Sequence, residues 1–540
     1  MAGIRGLQNP LAVLLAAFMF PLSTFLLLVN HVYVLLVPRN NLRRHLLRTP
    51  RFISRTILLT GISTPQGLRL ARAFYETGHN VIGADYEPGG LPVPARFSQA
   101  LRTFYRLESN FGEDWAVMYV SALVGIIRKE RVDVWINCSD STDSYVECQA
   151  RQAIEQHTNC RGFALRMEDA PHFLTQEAFL TYVENLGLPV PERRLVNSRD
   201  EVHRALNKTH GRRKYLLQSV GEDNLTTDSS VTVLPRRTLS QTYNTIACMP
   251  IQKSKPWLLK QVTEGLEKYS TFAIVVNRTV MAFVAFHNIN HGSYEALNPK
   301  SSLAQSMLRF VQTLATKQDS DSTGHFGIDF CVEQHVDAAG VQENIIPLGI
   351  SFHAQHGILF FDGLAGSAQL ARSYLASISP EVHNTKAIGH LSRSRSSSIL
   401  FNSQEIQNQD VAFPTGTTPG IYRFGPDLQQ RCLTSFARVL TFDITPTEFL
   451  KQFLTFLKHL LFWQEELYSF TDPMPFWWTY QIYTPLQHAF AMYMGIRGVS
   501  KPELLRPFSP RDVTVMAQDP EPHKSETWGR PKEQHQIVAA

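Results

Sequence analysis

The stretch "IIPLGISFHAQHGILFF", Ile345 to Phe361, has residue types and spacing that invite a chemical reading. It is an apolar, strand-like run interrupted by Gly349, Ser351, His353 and His356. A strand can present metal ligands on alternate residues, because successive side chains point to opposite faces. His353 and His356 lie three apart, so on an extended segment they point to different faces. Imidazole also suits zinc, copper or nickel better than magnesium. They read as polar side chains near a pocket mouth. The pair His287 and His291 in "FHNINHG" reads as part of a turn rich in Asn and Gly.

A second candidate chemistry is dinucleotide binding. In "TILLTGISTPQGLRLARAFYETGHNVIGADYEP" a strand (Ile57 to Thr60) meets a glycine turn (Gly61, Gly67), a helix (Leu68 to Thr77) and a second strand (Val81 to Ala84). Asp85 then stands where a ribose-binding acid would. The turn lacks the GxGxxG spacing that lets backbone approach a pyrophosphate, so an NAD-dependent enzyme is kept only as a minor alternative. No nucleophile elbow, HExxH helix or Walker loop points to another enzyme class.

The elements that must position any site follow from patterning. The strand–helix–strand opening repeats in "WAVMYVSALVGIIRKERVDVWINCSDSTDS", with a strand over Val132 to Asn137, and predicts an open parallel α/β sheet. The loop Cys138 to Ser144 is a candidate rim, since ligands of such sheets bind at the carboxyl ends of strands. Later strands at "KYLLQSV", "WLLKQVTEG", "FAIVVN" and "VMAFVAF" alternate with polar turns and predict a more antiparallel module. The segment "HLSRSRSSSIL" and the tail from about Phe508 read as linker and disorder.

A net charge of +5 over 540 residues does not suggest nucleic acid. Six cysteines without a CxxC pair fit a reducing compartment. From Leu11 to Val37 the chain carries no Asp, Glu, Lys or Arg, enough for a helix of roughly 40 Å against a hydrocarbon core of about 30 Å. Arg39, Arg43, Arg44, Arg48, Arg51 and Arg55 follow it, against Arg5 before it. The expectation is a single-pass membrane segment over residues 11–37 with the bulk of the chain cytosolic. The aromatic stretch around Trp477, Trp478, Tyr480 and Tyr483 suits a membrane interface or a core helix; Pro473, Pro475 and Pro485 read as breaking it too much for a second span.

Taken in order, these pieces resemble the ATP-grasp superfamily, and within it the membrane-anchored ATP-grasp proteins of fungal specialised metabolism. The resemblance rests on "GLPVPE" (Gly187 to Glu192), "KYLLQSV", "TEGLEKYST", the strand pair ending in "IIPLGISF", and the aromatic close "TDPMPFWWTYQIYTPLQ", and runs from about residue 56 to 490. It implies an α/β preparatory domain over 56–170 and an α+β ATP-grasp domain over 171–380. Around these lie an anchor with its basic flank at 1–55, a linker at 381–430, a helical aromatic-rich segment at 431–505 and a disordered tail at 506–540. It also implies two β-rich lobes clamping ATP and magnesium, and a carboxylate activated as an acyl phosphate before an amine attacks it. The substrates would be a small-molecule carboxylic acid and an amine.

The resemblance also assigns positions. Gln176 and Gln218 stand where the family sets two phosphate-binding lysines, and both positive charges are gone; Lys214, four residues and about 13 Å from Gln218 along a strand, cannot simply substitute, Lys260 is another conceivable donor, and neither restores the pattern. Asp329 in "GIDFCVE" takes the first magnesium-ligand position, whereas Gly349 and Ser351 take the other two and His353 stands where an arginine commonly follows. Glu333 shares the face of Asp329 and reads as solvated beyond the strand's end. The hinge Gln261, Val262 and Thr263 is implied to read the base through its backbone, with Glu264 or Glu267 accepting from the ribose hydroxyls. The leading expectation is an ATP-dependent carboxylate–amine ligase with a divergent site. The alternative is a nucleotide-binding or scaffold protein that keeps the fold without phosphoryl transfer.

Overall fold

A computed structural model describes residues 2–36, 41–50, 52–108, 115–139, 142–208, 213–219, 232–252, 257–262, 267–290, 292–318, 322–337, 340–378, 411–415 and 419–496. Thr263, Glu264, His291, the serine-rich stretch and the tail beyond 496 lie outside them.

The first unit is built as the glycine turn predicts. Strands β1 (Thr56–Thr60), β2 (Asn80–Tyr86), β3 (Thr103–Leu107), β4 (Val134–Asn137) and β5 (Arg161–Phe163) form an all-parallel sheet in the order β3-β2-β1-β4-β5. Ile57, Leu58 and Leu59 are all fully buried, as expected of a strand covered on both faces. Gly61 has φ +67, and a Cβ there would stand 2.5 Å from Ser139 N, so only glycine lets the β1 turn pass under the β4 turn. Thr64 then caps the helix Pro65–Glu76, accepting from Gly67 N, with proline in the first turn.

A small antiparallel sheet follows, of β6 (Arg193–Val196), β7 (Tyr215–Ser219), β8 (Thr232–Leu234) and β9 (Trp257–Gln261) in the order β6-β9-β7-β8. It has its own core, in which Tyr215, Leu217, Trp257 and Leu259 pack on Val202 and Ile246 from the helices Arg199–Lys208 and Leu239–Ala247.

The larger sheet orders β14-β13-β10-β11-β12-β15-β16. Its strands are β10 (Glu267–Val276), β11 (Thr279–Asn290), β12 (Ser293–Ala296), β13 (Gly324–Asp337), β14 (Gly340–Ser351), β15 (Ile421–Tyr422) and β16 (Gln464–Glu465). Ala273, Val275, Phe326, Ile328 and Phe330 bury one face with the helix Ser302–Thr316. Phe272, Ile274 and Val284 on the other face share a core with the helices Gly363–Leu375 and Pro65–Glu76, so the large sheet and the first unit are packed as one body.

The N-terminal helix spans Ala2–Leu36, and its window Ala16–Tyr33 has a mean hydropathy of 1.5 with none of it buried. It is long and apolar enough to cross a membrane.

One buried acid in the first unit makes stability depend on pH. Glu147 accepts a hydrogen bond from Tyr119 Oη at 2.9 Å, and burial pushes its carboxyl up to about 8. The folded chain keeps this proton where the unfolded chain has lost it. The stabilisation is therefore full below the ordinary glutamate pKa and is lost as pH rises towards 8. Each such proton contributes a slope of up to about 1.4 kcal/mol per pH unit in that window. Urea melts of Glu147→Gln should show a flatter loss of stability between about pH 5 and 8 than the parent; an unchanged slope would remove Glu147 as its source.

Candidate functional site

The candidate site lies where the small sheet stands over one face of the large one. Along β13, Asp329, Cys331 and Glu333 alternate onto the same face. Arg213, just before β7, reaches across to Glu333 with both guanidinium arms, Nε to Oε1 at 2.8 Å and Nη2 to Oε2 at 2.6 Å. Arg213 Nη1 also lies 3.5 Å from Glu192 Oε2, which accepts from Tyr215 Oη at 2.7 Å. The small lobe is therefore clasped onto the Asp329 face. Glu333, expected to be solvated beyond the strand end, is instead one half of this clasp. Sequence gave no sign of it because the partners lie 120 residues apart.

A half-buried, bidentate arginine–carboxylate pair is among the stronger ion pairs. Single replacements Arg213→Met and Glu333→Gln are each expected to cost about 2 kcal/mol, with a coupling of at least about 1 kcal/mol in a double-mutant cycle read by urea unfolding. Additive losses would show that the pair does not hold the lobes.

Asp329 itself pairs across the sheet with Ser270 on β10 and Gly349 on β14. Ser270 Oγ donates to Asp329 Oδ1 at 2.6 Å. The side chain is exposed, and the protein around it still strips enough water to raise the carboxyl pKa. The Ser270 hydrogen bond and the charges of His353 and Lys268 pull it back down. Opposite, a Cβ at Gly349 would meet nothing within 4 Å, so the space in front of Asp329 is open.

The other sequence-assigned positions divide. Gln176 opens the helix Gln176–Asn185, capped by Thr175, and its Nε2 donates to Leu348 O at 2.6 Å. This ties the helix start to β14 one residue from Gly349, so the glutamine side chain is spent on a neutral structural bond. Gln218 is half-buried on β7 opposite Leu258. By strand parity it shares a face with Leu216, Leu258 and Lys260, away from the small lobe's core. Leu195, 60% exposed, and Val233, 38% exposed, extend this face through their partners Leu258 and Leu216. An open apolar sheet face with an ammonium group on it suits an aromatic base and its phosphates.

At the hinge, Gln261 is buried; its backbone N–H donates to Glu192 O at 2.8 Å and its side-chain oxygen accepts from Glu192 N at 3.2 Å. Val262 N–H donates to Lys214 O at 2.8 Å. Both N–H groups are thus used inside the sheet, which leaves carbonyls rather than these N–H groups for reading a base. Glu267 begins β10 and accepts from Tyr269 Oη at 2.8 Å.

Asp329 is the carboxylate that would hold magnesium. Ser351 Oγ is engaged by Gln355 and donates to Gly327 O, and Glu333 is held by Arg213. Among the described residues no group of three or more His, Cys, Asp and Glu side chains converges to hold a metal. One carboxylate would suffice to hold magnesium if phosphate oxygens and water supplied its other ligands, and the ion would then neutralise phosphate charge. His356 stacks on Tyr294 with centroids 4.6 Å apart, and burial first, then Arg423 and His353, push its pKa down to about 4. His287 packs tilted on Tyr269 at 4.9 Å.

No family model and no curated protein matches the sequence. Solved structures similar to the chain are ATP-grasp proteins, the superfamily its motifs resemble. They include the biotin carboxylase subunit of pyruvate carboxylase, at 12% identity over 59% of this chain and 70% of that one, with a TM-score of 0.43. Carboxyaminoimidazole ribonucleotide synthase from Aspergillus clavatus, complexed with ATP, is 14% identical over 60% and 76%, with a TM-score of 0.36. An L-amino acid ligase from Bacillus licheniformis is 10% identical over 56% and 67%, with a TM-score of 0.32. At these values the likenesses carry no argument about chemistry, which rests on the residues above.

Proposed function

We propose that the protein is a membrane-tethered ATP-dependent carboxylate–amine ligase of ATP-grasp type, acting on small molecules in specialised-metabolite biosynthesis. The observation that carries this reading is the clasp of the small sheet over the Asp329 face of the large sheet, with an open apolar face and Lys260 on the lobe above. The base would lie against Leu216 and Leu258, and the phosphates would extend towards Lys260, Gln218 and Asp329. Magnesium, when bound, would neutralise phosphate charge. The substrate carboxylate would attack the γ-phosphorus and release ADP. An amine would then attack the acyl carbon, phosphate would leave, and the amine nitrogen would lose a proton. Residues 11–37 would tether the cytosolic bulk to the membrane.

A second reading is favoured by Gln176, whose bond to Leu348 O anchors a helix in place of a phosphate-binding cation. It is a nucleotide-binding protein without turnover.

Melting of the full chain in nanodiscs with ATP, with and without magnesium, tests the first reading. A magnesium-dependent rise followed by ATP consumption with some acid and amine mixture supports the ligase. A rise without magnesium and without turnover in any mixture supports the second reading, and no rise with ATP removes both.

A further inference from the structure

The largest departure from the sequence reading lies in the C-terminal aromatic segment. Helical residues run without interruption from 474 to 496, as the helix Met474–Trp478, the π-helical segment Thr479–Tyr483 and the helix Thr484–Ile496. Pro475 lies in the first turn, where its missing N–H costs nothing. Pro485 stands two residues past the end of the π-helical segment, whose wider turn includes Gln481, four residues back, where the proline ring would otherwise strike a carbonyl. The prolines thus do not break the run, and from 474 to 496 it carries no Asp, Glu, Lys or Arg.

This run packs along the N-terminal helix. Phe20 and Trp477 lie with ring centroids 5.6 Å apart, Tyr33 and Phe470 at 5.2 Å, and Asn30 Nδ2 donates to Phe470 O at 3.0 Å. The outer side of the N-terminal helix is left apolar and exposed, Phe18 at 76% and Phe25 at 62%, as a lipid-facing surface is.

Between the two helices and the body lies a cavity of about 810 Å³. That volume is within the roughly 300–1,000 Å³ of small-molecule sites. Leu22, Leu26, Phe424, Leu428, Leu433 and Phe476 give it apolar walls. Its polar wall mixes side chains that can donate, among them Ser23, Thr479 and His488, with two acceptors left without donors. Glu466 Oε1 takes the Arg423 guanidinium, while Glu466 Oε2, on a side chain 2% exposed, has no hydrogen-bond partner; Gln481 Oε1, also buried, has none either. Both residues line the cavity. A buried acceptor without a donor costs about 1–3 kcal/mol, and more when charged, so a site that leaves such atoms in its wall suits a ligand bringing donors. Glu465, beside them, is pushed up to about 8 by burial and then by the charge of Glu466, and accepts from Tyr480 Oη at 3.1 Å. Arg423 and Glu466 balance each other, so an anionic head would meet an uncompensated carboxylate oxygen.

We propose that this cavity binds a single-chain amphiphile with a hydrogen-donating head, a hydroxyl or an amine, drawn from the bilayer. Its chain lies among the leucines and phenylalanines, and its head donates to Glu466 Oε2 and Gln481 Oε1. Asp329 does not line the cavity, so the assignment stands apart from the ligase reading.

The test uses the full chain in phosphatidylcholine nanodiscs and diazirine-bearing twelve-carbon probes with amine, hydroxyl or carboxylate heads, their adducts mapped by mass spectrometry. The expected result is saturable labelling on residues 16–26 and 476–488 by the amine or hydroxyl probe, at least tenfold above the carboxylate probe. Unlabelled dodecylamine or dodecanol should compete it away. Ser23→Phe, which fills the cavity from the N-terminal helix, should abolish that labelling, and Glu466→Gln, which removes the uncompensated carboxylate oxygen, should erase the preference over the carboxylate. Labelling scattered over the outward residues Phe18 and Phe25, without saturation and unchanged by Ser23→Phe, would overturn the proposal, as would preference for the carboxylate probe. Circular dichroism separates a misfolded variant from a filled cavity, and the head-group ranking on the parent chain decides the matter without any variant.

Discussion

Replacing Asp472 by alanine should destabilise the protein by about 3–5 kcal/mol, the cost of leaving a buried guanidinium without its partner. Arg72 and Asp472 meet at 3.0 Å with side chains only 6% and 5% exposed. Ser98 Oγ and Gln99 N also donate to the same carboxylate, at 2.6 and 3.0 Å. Arg72 uses its remaining arms on Leu467 O and Asp472 O, both at 2.8 Å. The pair thus fastens the segment before the C-terminal helical run to the first helix of the parallel-sheet unit. Asp472→Asn keeps an acceptor for Ser98 and Gln99 and should cost less, whereas Arg72→Met with Asp472→Leu should recover much of the loss by removing both charges. Urea unfolding of the full chain in nanodiscs reads all three. A loss below about 1 kcal/mol for the alanine variant would mean that water reaches the site and the pair is not buried.

Replacing Asp329 by asparagine should remove the magnesium-dependent part of ATP stabilisation altogether. At a hundredfold excess of ligand over its dissociation constant that part is worth about 2.7 kcal/mol, and it should fall to zero. Asparagine is nearly the same shape and can still accept from Ser270, so the loss would report the charge and not the fold. The parent should also lose magnesium dependence on acidification at a higher pH than an ordinary exposed carboxylate would, because burial raises the Asp329 carboxyl and only the ionised form serves as a ligand. A magnesium response that survives in Asp329→Asn would place the cation elsewhere and end the ligase reading of this cleft. A magnesium-free ATP response retained in the variant would leave the nucleotide-binding reading standing.

Much of the architecture was legible because it is written locally. The turn at Gly61, the helix capped at Thr64 and the uncharged run before Arg39 each announce themselves within a few residues, through period, capping and composition.

Sequence alone therefore determined the strands, the glycine turns and the apolar N-terminal helix, because each depends on neighbours in the chain. Only the tertiary structure decided what Glu333 does, what holds Asp472 and where the aromatic helical run lies. Those outcomes hang on Arg213, Arg72 and Phe20, which lie 120 to more than 400 residues from their partners. Nothing in a local pattern encodes which distant charge or ring will be brought into contact. That choice is made by the packing of the sheets and helices, which decides which side chains lose their water and must find a partner.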